Sequence, residues 1–348
     1  MYNSFLIYSH TVNVRYLYAI LIRAFMRHKS LTFKKFFEQA QRDVWQEIER
    51  RIKDEDMLYA LEGGKMLRPA MLLLSFRVCT GGSDERYKKA VESAMGVELA
   101  HSASLIHDDI MDGDVNRRGK PALYVKSGIG NAILTGHRMI NIAFRISLDH
   151  GIQNAYIFLD TWNHTLIGQI KDVDFSAHID KIFNGGYSPE ILLREYFKII
   201  DMKTASLFAA ACRAGAIEAQ ASEETVLLLR DYGREIGLAY QLADDLVDIA
   251  QGKIEEGIIM PLIKAYGNNL NDDAIQLLIN RGTTIENELR RRGMDLTKIY
   301  EEEIRRHVKK AQKIASSPLI PNSIYKPLLR EAPSYITNKM AEKVGVMI

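Results

Sequence analysis

Proline, which interrupts α-helices, is scarce in this chain and leaves room for long helices. The chain has 8 prolines in 348 residues, and Pro189 stands alone within residues 122–260, whereas about 5% of an average protein is proline. Apolar residues in segment 31–48 recur at steps of three and four, the spacing of one helix face. Ser188 predicts an N-cap, with a helix running from Pro189 through Met202. The sequence therefore predicts an all-α fold with many helices around one core.

Composition excludes several classes of function. Apolar residues make up 47% of the chain, and the net charge is +2, so bulk charge does not indicate a nucleic-acid partner. Cys79 and Cys212 are too few for a disulfide framework, which favours a cytoplasmic protein. The most apolar stretch, residues 16–26, contains Arg23 and is shorter than the roughly 20 apolar residues that span a bilayer. We therefore expect no transmembrane segment.

The chain offers no internal boundary. No repeat, low-complexity tract or Gly/Ser-rich linker divides residues 31–348, so we expect a single all-helical domain there. Residues 1–30 lack the helix-and-turn pattern that follows. We interpret them as an N-terminal extension, with translation naturally starting at Met26.

Two segments carry the same acidic pattern, Asp-Asp-x-x-Asp. The first runs from Asp108 to Asp112 and the second from Asp244 to Asp248. Residues four apart share one helix face, so each box sets carboxylates of like charge side by side. A solvated surface explains one such box, but each of these two ends an apolar run, which indicates that the carboxylates point inward.

Inward carboxylate pairs require a cation. Oxygen ligands without a cysteine or histidine cluster favour Mg²⁺ over zinc. Because Mg²⁺ usually takes one or two carboxylates and fills its other positions with water and phosphate, the boxes predict a phosphorylated substrate. Gly233 and Gly237 share a face with the second box, and we interpret them as a close contact with a neighbouring helix.

Three groups of cations could neutralise a bound diphosphate. Lys65 and Arg68 follow a glycine pair, Arg117 and Arg118 follow the first box by five residues, and Lys203 lies among apolar residues. Any one of them is more often an ordinary surface charge. Together with two aspartate boxes, they indicate a site for a metal-bound diphosphate.

In this order, the motifs resemble those of the trans-isoprenyl diphosphate synthases. They are Gly-Gly-Lys-x-x-Arg-Pro (63–69), the first box with Arg-Arg-Gly-Lys-Pro (117–121), Gly168-Gln169-x-x-Asp172, Lys203-Thr204, and Gly-Arg-x-x-Gly-x-x-x-Gln-x-x-Asp-Asp-x-x-Asp (233–248). The match extends over about residues 30–340. It implies the isoprenoid-synthase fold, an all-α and usually homodimeric protein whose two boxes face each other across a central active-site cavity.

The resemblance also implies a reaction and residue roles. The reaction is the Mg²⁺-dependent head-to-tail condensation of isopentenyl diphosphate with an allylic diphosphate. The positions matching metal ligands are Asp108, Asp109, Asp112, Asp244 and Asp248, and those given catalytic roles are Asp108, Asp112, Asp244 and Lys203. The positions matching contacts to the allylic substrate are Arg117, Lys203, Thr204 and Gln241. The positions matching contacts to isopentenyl diphosphate are Gly64, Lys65, Arg68, His101 and Arg118.

The sequence departs from the family pattern at three places. Residues 256–258 read Glu-Gly-Ile before Pro261, where the family usually shows Glu-Gly-Lys. Either Lys253 replaces the missing lysine or the allylic diphosphate is held less tightly. Tyr124 and His137 stand where the family often has His and Asp. We expect these differences to affect rate and substrate preference rather than the class of reaction.

Two alternatives stay open. A terpene cyclase also ionises an allylic diphosphate, but the complete second box and the isopentenyl-binding clusters disfavour it. A non-catalytic partner subunit is favoured by the missing lysine and disfavoured by the intact aspartates.

For product length, Ala103 and Ser104 lie about one turn before Asp108 and are small, whereas short-product relatives commonly have a bulky aromatic at one of these positions. We therefore expect a product of C20 or longer.

Overall fold

The computed structural model describes residues 31–82, 85–177, 188–251, 257, 259–266, 285–342 and 345. The proposed N-terminal extension, residues 1–30, lies outside the described residues, as do Lys253, Glu256 and Ile258.

Helices make up most of the described chain, which confirms the all-α prediction. Their bounds are α1 (Phe33–Arg51), α2 (Glu55–Leu61), α3 (Leu67–Thr80), α4 (Tyr87–Asp112), α5 (Leu123–Ser127), α6 (Ile129–Asp149), α7 (Ile152–Ala177), α8 (Pro189–Ile200), α9 (Ser206–Glu218), α10 (Glu223–Ala250), α11 (Ile259–Tyr266), α12 (Ile285–Arg291), α13 (Leu296–Ala315) and α14 (Lys326–Ala341). The strands of the described ranges are β1 (Asn116–Arg117) and β2 (Lys120–Pro121), which pair antiparallel.

Side-chain caps fix where several helices begin. Ser188 Oγ accepts a hydrogen bond from the Ile191 amide at 3.4 Å, and Pro189 is the first residue of α8, as the sequence predicts. The far end of this helix differs from the prediction. It stops at Ile200, and a π-helical turn, Asp201–Ala205, leads directly into α9.

The two aspartate boxes lie on the long helices α4 and α10, which are buried along much of their length. Helix α9 packs against both α10 and α3. Two glycines allow α10 to approach its neighbours closely. A Cβ on Gly233 would stand 2.4 Å from the Phe208 carbonyl oxygen, and one on Gly237 would stand 2.5 Å from the Cα of Ala205. The predicted close helix contact is therefore confirmed, with backbone against backbone.

Among the described residues, buried apolar side chains form two clusters, one around α3, α4 and α9 and another around α8, α10 and α13. None of the helices in the described ranges combines the length and apolar character that a membrane span needs.

Candidate active site

A cavity of about 510 Å³ lies between the ends of α4 and α10, with further walls from α7 and the π-helical turn. All residues assigned above to metal or substrate line it, except Gly64 and Asp109. Those that do are Lys65, Arg68, His101, Asp108, Asp112, Arg117, Arg118, Lys203, Thr204, Gln241, Asp244 and Asp248. The structure therefore brings residues from distant parts of the chain to one site.

Two carboxylates of the first aspartate box face this cavity, and both have raised pKa values. Burial raises the pKa of Asp108 to about 6, and the nearby carboxylate of Asp112 adds to the rise while Lys203 opposes it. Burial also raises the pKa of Asp112. Both shifts mean that the ionised carboxylates lack sufficient positive charge around them. A cation between them and the second box would supply it.

The donor set fits magnesium of the kind shared with a phosphate ligand. Within the described ranges, no three His, Cys, Asp or Glu side chains stand close enough to hold a metal ion by themselves. Asp108 and Asp112 nevertheless line one side of the cavity, and Asp244 and Asp248 also line it. Since Mg²⁺ needs only one or two carboxylates when phosphate and water complete its coordination, the residues present suit a metal-diphosphate complex.

Asp109 points away from the cavity. Its carboxylate is buried and accepts a hydrogen bond from Arg117 Nε at 2.6 Å. Arg117 also pairs with Asp114 at 3.2 Å, so two carboxylates fix its guanidinium at the cavity wall. The role of Asp109 as a metal ligand stays a prediction, and the contact seen here is with Arg117.

The π-helical turn presents two neighbouring side chains to the cavity. Lys203 Nζ donates to Asp172 Oδ2 at 2.6 Å, and Thr204 Oγ1 donates to Gln241 Oε1 at 2.6 Å. Gly168 makes room for this turn, because a Cβ there would stand 2.9 Å from the Lys203 backbone nitrogen. The extra residue of a π-turn commonly marks functional sites.

Gln241 is oriented by residues that sequence reasoning missed. Its amide nitrogen donates to Asp245 Oδ1 at 2.8 Å, and Tyr196 donates to Asp245 Oδ2 at 2.5 Å. Both partners are buried. Asp245 is the second aspartate of its box, whereas nothing in the sequence pattern distinguishes Tyr196 from an ordinary core aromatic.

The basic side of the cavity is organised around Arg68. Its Nη1 lies 3.0 Å from His101 Nε2, and its guanidinium lies 4.7 Å from the centre of the Phe208 ring. Burial and nearby cations lower the pKa of His101 well below its usual value, so a neutral ring accepts the hydrogen bond from Arg68. Lys65 Nζ lies 3.3 Å from Tyr240 Oη, and Tyr240 is a lining residue that sequence reasoning missed.

Tyr124 and His137, where the sequence departs from the family pattern, do not line the cavity. Tyr124 is half-buried against the core. The ring of His137 packs edge-on against His107, with 5.3 Å between their centres, and His107 lines the cavity next to Asp108. His137 therefore reaches the site through His107.

A second, smaller cavity of about 60 Å³ lies along α4, before the first box in sequence. Its lining is mostly apolar and includes Val97 and Ala100. Trp162 and Leu207 line both cavities, so the small one continues the large one. Ser104 lines the large cavity.

Ala103 is fully buried and lines neither cavity. Of the two small residues that suggest a long product, Ser104 therefore borders the large cavity and Ala103 does not, because successive helical residues point about 100° apart.

Known proteins resemble this chain in sequence. A sequence model described as polyprenyl synthetase matches residues 51–315. A short chain isoprenyl diphosphate synthase from Methanothermobacter thermautotrophicus is 34% identical over 256 residues, which cover 71% of this chain and 72% of that protein. A geranylgeranyl diphosphate synthase from Methanosarcina mazei is 37% identical over 193 residues, which cover 54% of this chain and 55% of that protein. In the second case the alignment spans little more than half of the relative's length.

Solved structures share the architecture. A geranylgeranyl pyrophosphate synthase has a TM-score of 0.69 and 27% identity, covering 88% of this chain and 98% of its own. A polyprenyl synthase from Caulobacter crescentus CB15, solved with calcium and isoprenyl diphosphate, has a TM-score of 0.69 and 26% identity, covering 88% of this chain and 97% of its own.

Proposed function

The chain belongs to the polyprenyl synthetase family, and we propose that it condenses isopentenyl diphosphate head to tail with an allylic diphosphate, using Mg²⁺. The products are pyrophosphate and an all-trans polyprenyl diphosphate of C20 or longer. One observation carries this proposal: both aspartate boxes and all three cation groups line the same cavity.

The aspartate boxes are the proposed metal site. Asp108, Asp112 and Asp244 would be the main ligands, supported by Asp109 and Asp248. Bound Mg²⁺ supplies a Lewis acid for the charge that develops on the leaving pyrophosphate.

Cationic and polar side chains of the protein are proposed to bind the same leaving group. Lys203, Arg117, Thr204 and Gln241 are the proposed contacts to the allylic diphosphate. The ammonium group of Lys203 is already held by Asp172, so it needs little rearrangement to meet the developing negative charge. Thr204 and Gln241 hold each other through their mutual hydrogen bond.

The second substrate is proposed to bind on the basic side of the cavity, around Arg68. Lys65, Arg68, His101 and Arg118, with the backbone at Gly64, would hold the diphosphate of isopentenyl diphosphate and place its double bond near the allylic carbon. Trp162 and Leu207 line the apolar side of the cavity and would exclude water from the allylic cation. The released pyrophosphate is the proposed acceptor of the proton lost at the end.

The small apolar cavity supports a product of at least C20. Ser93, at its far end, lies fifteen residues before Asp108 on α4, or about four turns of about 5.4 Å. An isoprene unit is about as long as one turn, so four units reach this level. There Ser93 Oγ and His150 Nδ1 contact Glu218 at 2.7 Å each, and such buried polar groups are poor neighbours for a hydrocarbon tail.

The proposed assembly is a homodimer through α6 and α7. The outer sides of these helices expose large apolar side chains, which are Leu134, Leu148, Ile152, Tyr156, Leu159 and Ile170. Extended exposed apolar surface marks interaction sites. Replacing Tyr156 and Ile170 by Glu should convert a dimer to monomers in light scattering, and a wild-type monomer would contradict the assembly. The expected cytoplasmic location rests on the sequence alone.

Turnover assays test the function directly. Purified protein is incubated with Mg²⁺, isopentenyl diphosphate and allylic primers of increasing length, and pyrophosphate release and product length are measured. We expect elongation that stops when the metal is chelated. A hydrocarbon product formed without isopentenyl diphosphate would indicate a cyclase, and no turnover with any primer would favour a non-catalytic partner subunit.

A further inference from the structure

Glu98 is a buried carboxylate without a hydrogen-bond partner. It lies in the middle of α4 with 1% of its surface exposed. Both of its carboxylate oxygens are shielded from solvent, and neither has a hydrogen-bond partner among the described residues. Burying a charged group in this way is costly unless neighbouring charges compensate for it. Glu98 therefore has to be explained by the charges around it.

Two arginines compensate for Glu98. Arg118 Nη2 lies 3.9 Å from Glu98 Oε1, beyond hydrogen-bond distance but within reach of strong attraction. Glu98 also stabilises the charged form of Arg68, whose side chain is buried. Both arginines line the cavity, whereas Glu98 lies behind them.

The end of α2 and the loop before α3 enclose this group of charges. Arg118 Nη1 donates to the carbonyl oxygens of Ala60 and Leu61 at 2.9 and 3.1 Å. A Cβ on Gly64 would stand 2.7 Å from Glu98 Oε1 and 3.2 Å from Arg118 Nη1. The absence of a side chain at Gly64 therefore lets the backbone close over the Glu98–Arg118 pair.

We propose, resting on the function proposed above, that Glu98 is a positioning residue of the isopentenyl diphosphate site. Its carboxylate holds the guanidinium groups of Arg68 and Arg118 in place before the substrate arrives, and it takes up one proton from solvent when a diphosphate binds to them. The residue acts through the arginines and does not touch the substrate.

The physical reason is competition between two anions for the same cations. In the ligand-free protein, the pKa of Glu98 is raised to about 7. Burial causes this rise, and the nearby Arg118 and Arg68 oppose it. A diphosphate on those arginines brings negative charge beside the carboxylate and raises its pKa further. Above pH 7 the complex then holds a proton that the free protein lacks. Affinity for the diphosphate should therefore fall as pH rises above 7, by up to about tenfold per pH unit.

Other charged and titratable groups face the same arginines. Lys65 and Arg117 stand beside them, and His101 is kept neutral. Asp109 lies near Arg118, and Tyr240 and Asp244 approach from α10. The pKa of Tyr240 is raised by burial, so the phenol stays protonated over this range. The diphosphate itself also titrates, which makes a matched variant necessary.

The experiment compares wild type with Glu98→Gln, which keeps the shape and removes the charge. Glu47→Gln is the matched control, because Glu47 is also buried but pairs with Arg50 and Arg51 on α1. KM for isopentenyl diphosphate and for the allylic substrate is measured at pH 7.0 and 8.5. Calorimetry with inorganic pyrophosphate, in buffers of different ionisation enthalpy, counts the protons taken up.

We expect KM for isopentenyl diphosphate to rise more steeply with pH in wild type and in Glu47→Gln than in Glu98→Gln, by up to about thirtyfold over this range. The allylic KM should show no such difference. Pyrophosphate binding at pH 8.5 should take up about one proton more in wild type than in Glu98→Gln. Equal pH profiles for wild type and Glu98→Gln, with normal turnover, would overturn the role of Glu98 and leave the proposed function intact.

A wild-type protein without turnover would overturn the proposed function instead, and the pyrophosphate titration would still test Glu98. If Glu98→Gln does not fold, infrared difference spectra of wild type decide the question. Pyrophosphate binding should produce a protonated-carboxyl band, and its absence would overturn the proposal.

Discussion

Lys203 Nζ donates a hydrogen bond of 2.6 Å to Asp172 Oδ2, joining the π-helical turn to α7 beside the first aspartate box. Lys203 also opposes the rise in the pKa of Asp108. One lysine thus offsets three carboxylates, Asp172, Asp108 and Asp112, in the ligand-free site, and it is placed where an allylic diphosphate would compete for it.

Replacing Lys203 by Gln should therefore lower kcat/KM for the allylic substrate by about 10²–10³-fold, as expected for a donor aimed at developing charge. KM for isopentenyl diphosphate should change little, because other cations hold that substrate. Steady-state kinetics with each substrate varied in turn measures both. Lys171→Gln is the control, since Lys171 pairs with Glu195 at 3.4 Å and lines no part of the cavity. Equal losses in the two variants would refute a specific role.

Replacing Asp108 or Asp244 by Ala should reduce turnover by at least about 100-fold, because each change removes a proposed metal ligand. The folded state should persist, as judged by circular dichroism. Near-normal turnover in both variants at saturating Mg²⁺ would disprove the assignment of the aspartate boxes.

Asp108→Asn should stabilise the metal-free protein at pH 8. The pKa of Asp108 is raised to about 6 in the folded protein, compared with about 3.9 when exposed, so its ionised form is disfavoured by folding. The penalty is fully present above pH 6 and absent below about pH 4. We expect a gain of up to about 3 kcal/mol at pH 8 that disappears at pH 4. Unfolding with a chelator at both pH values tests this, and an equal gain at both would exclude the charge as its cause.

Product length should depend on Trp162, which lines both cavities. Trp162→Ala should widen the passage between them and lengthen the product by one isoprene unit or more, measured by chromatography of the dephosphorylated products. Trp45→Ala is the control, because this second tryptophan lies on α1 and bonds to Glu49. An unchanged product length in the Trp162 variant would place the limiting residue elsewhere.

Product length should also depend on residues of α4. Ser104→Phe should shorten the product, because Ser104 lines the large cavity. Ala103→Phe should instead destabilise the protein by about 1–3 kcal/mol through overpacking, since Ala103 is fully buried. A shorter product from a stable Ala103→Phe variant would reverse this assignment of the two positions.

Regular helix geometry explains what could be predicted from the sequence. Spacing by four residues places Asp108 and Asp112, or Asp244 and Asp248, on one face, and the structure has each pair facing the cavity. The N-cap at Ser188 was equally predictable, because capping is a local interaction.

What could not be predicted depends on contacts between helices. The π-helical turn at Asp201–Ala205 packs closely against Gly168 of α7, and these residues are distant in the sequence. Asp109 belongs to the family motif, yet the structure pairs it with Arg117, a partner supplied by the β-hairpin. Glu98 is a lone acidic residue within the apolar run before the first box, so its burial was predictable from the sequence.

The contact between Gly237 and Ala205 has a mechanical consequence. Because a Cβ on Gly237 would stand 2.5 Å from the Ala205 Cα, no side chain separates α10 from the turn that carries Lys203. The helix of the second aspartate box and the turn that carries the lysine are thus in direct backbone contact, which couples their positions. A single methyl group at position 237 would move α10 and the turn apart. It would thereby distort the allylic site, although no residue that contacts the substrate would be replaced.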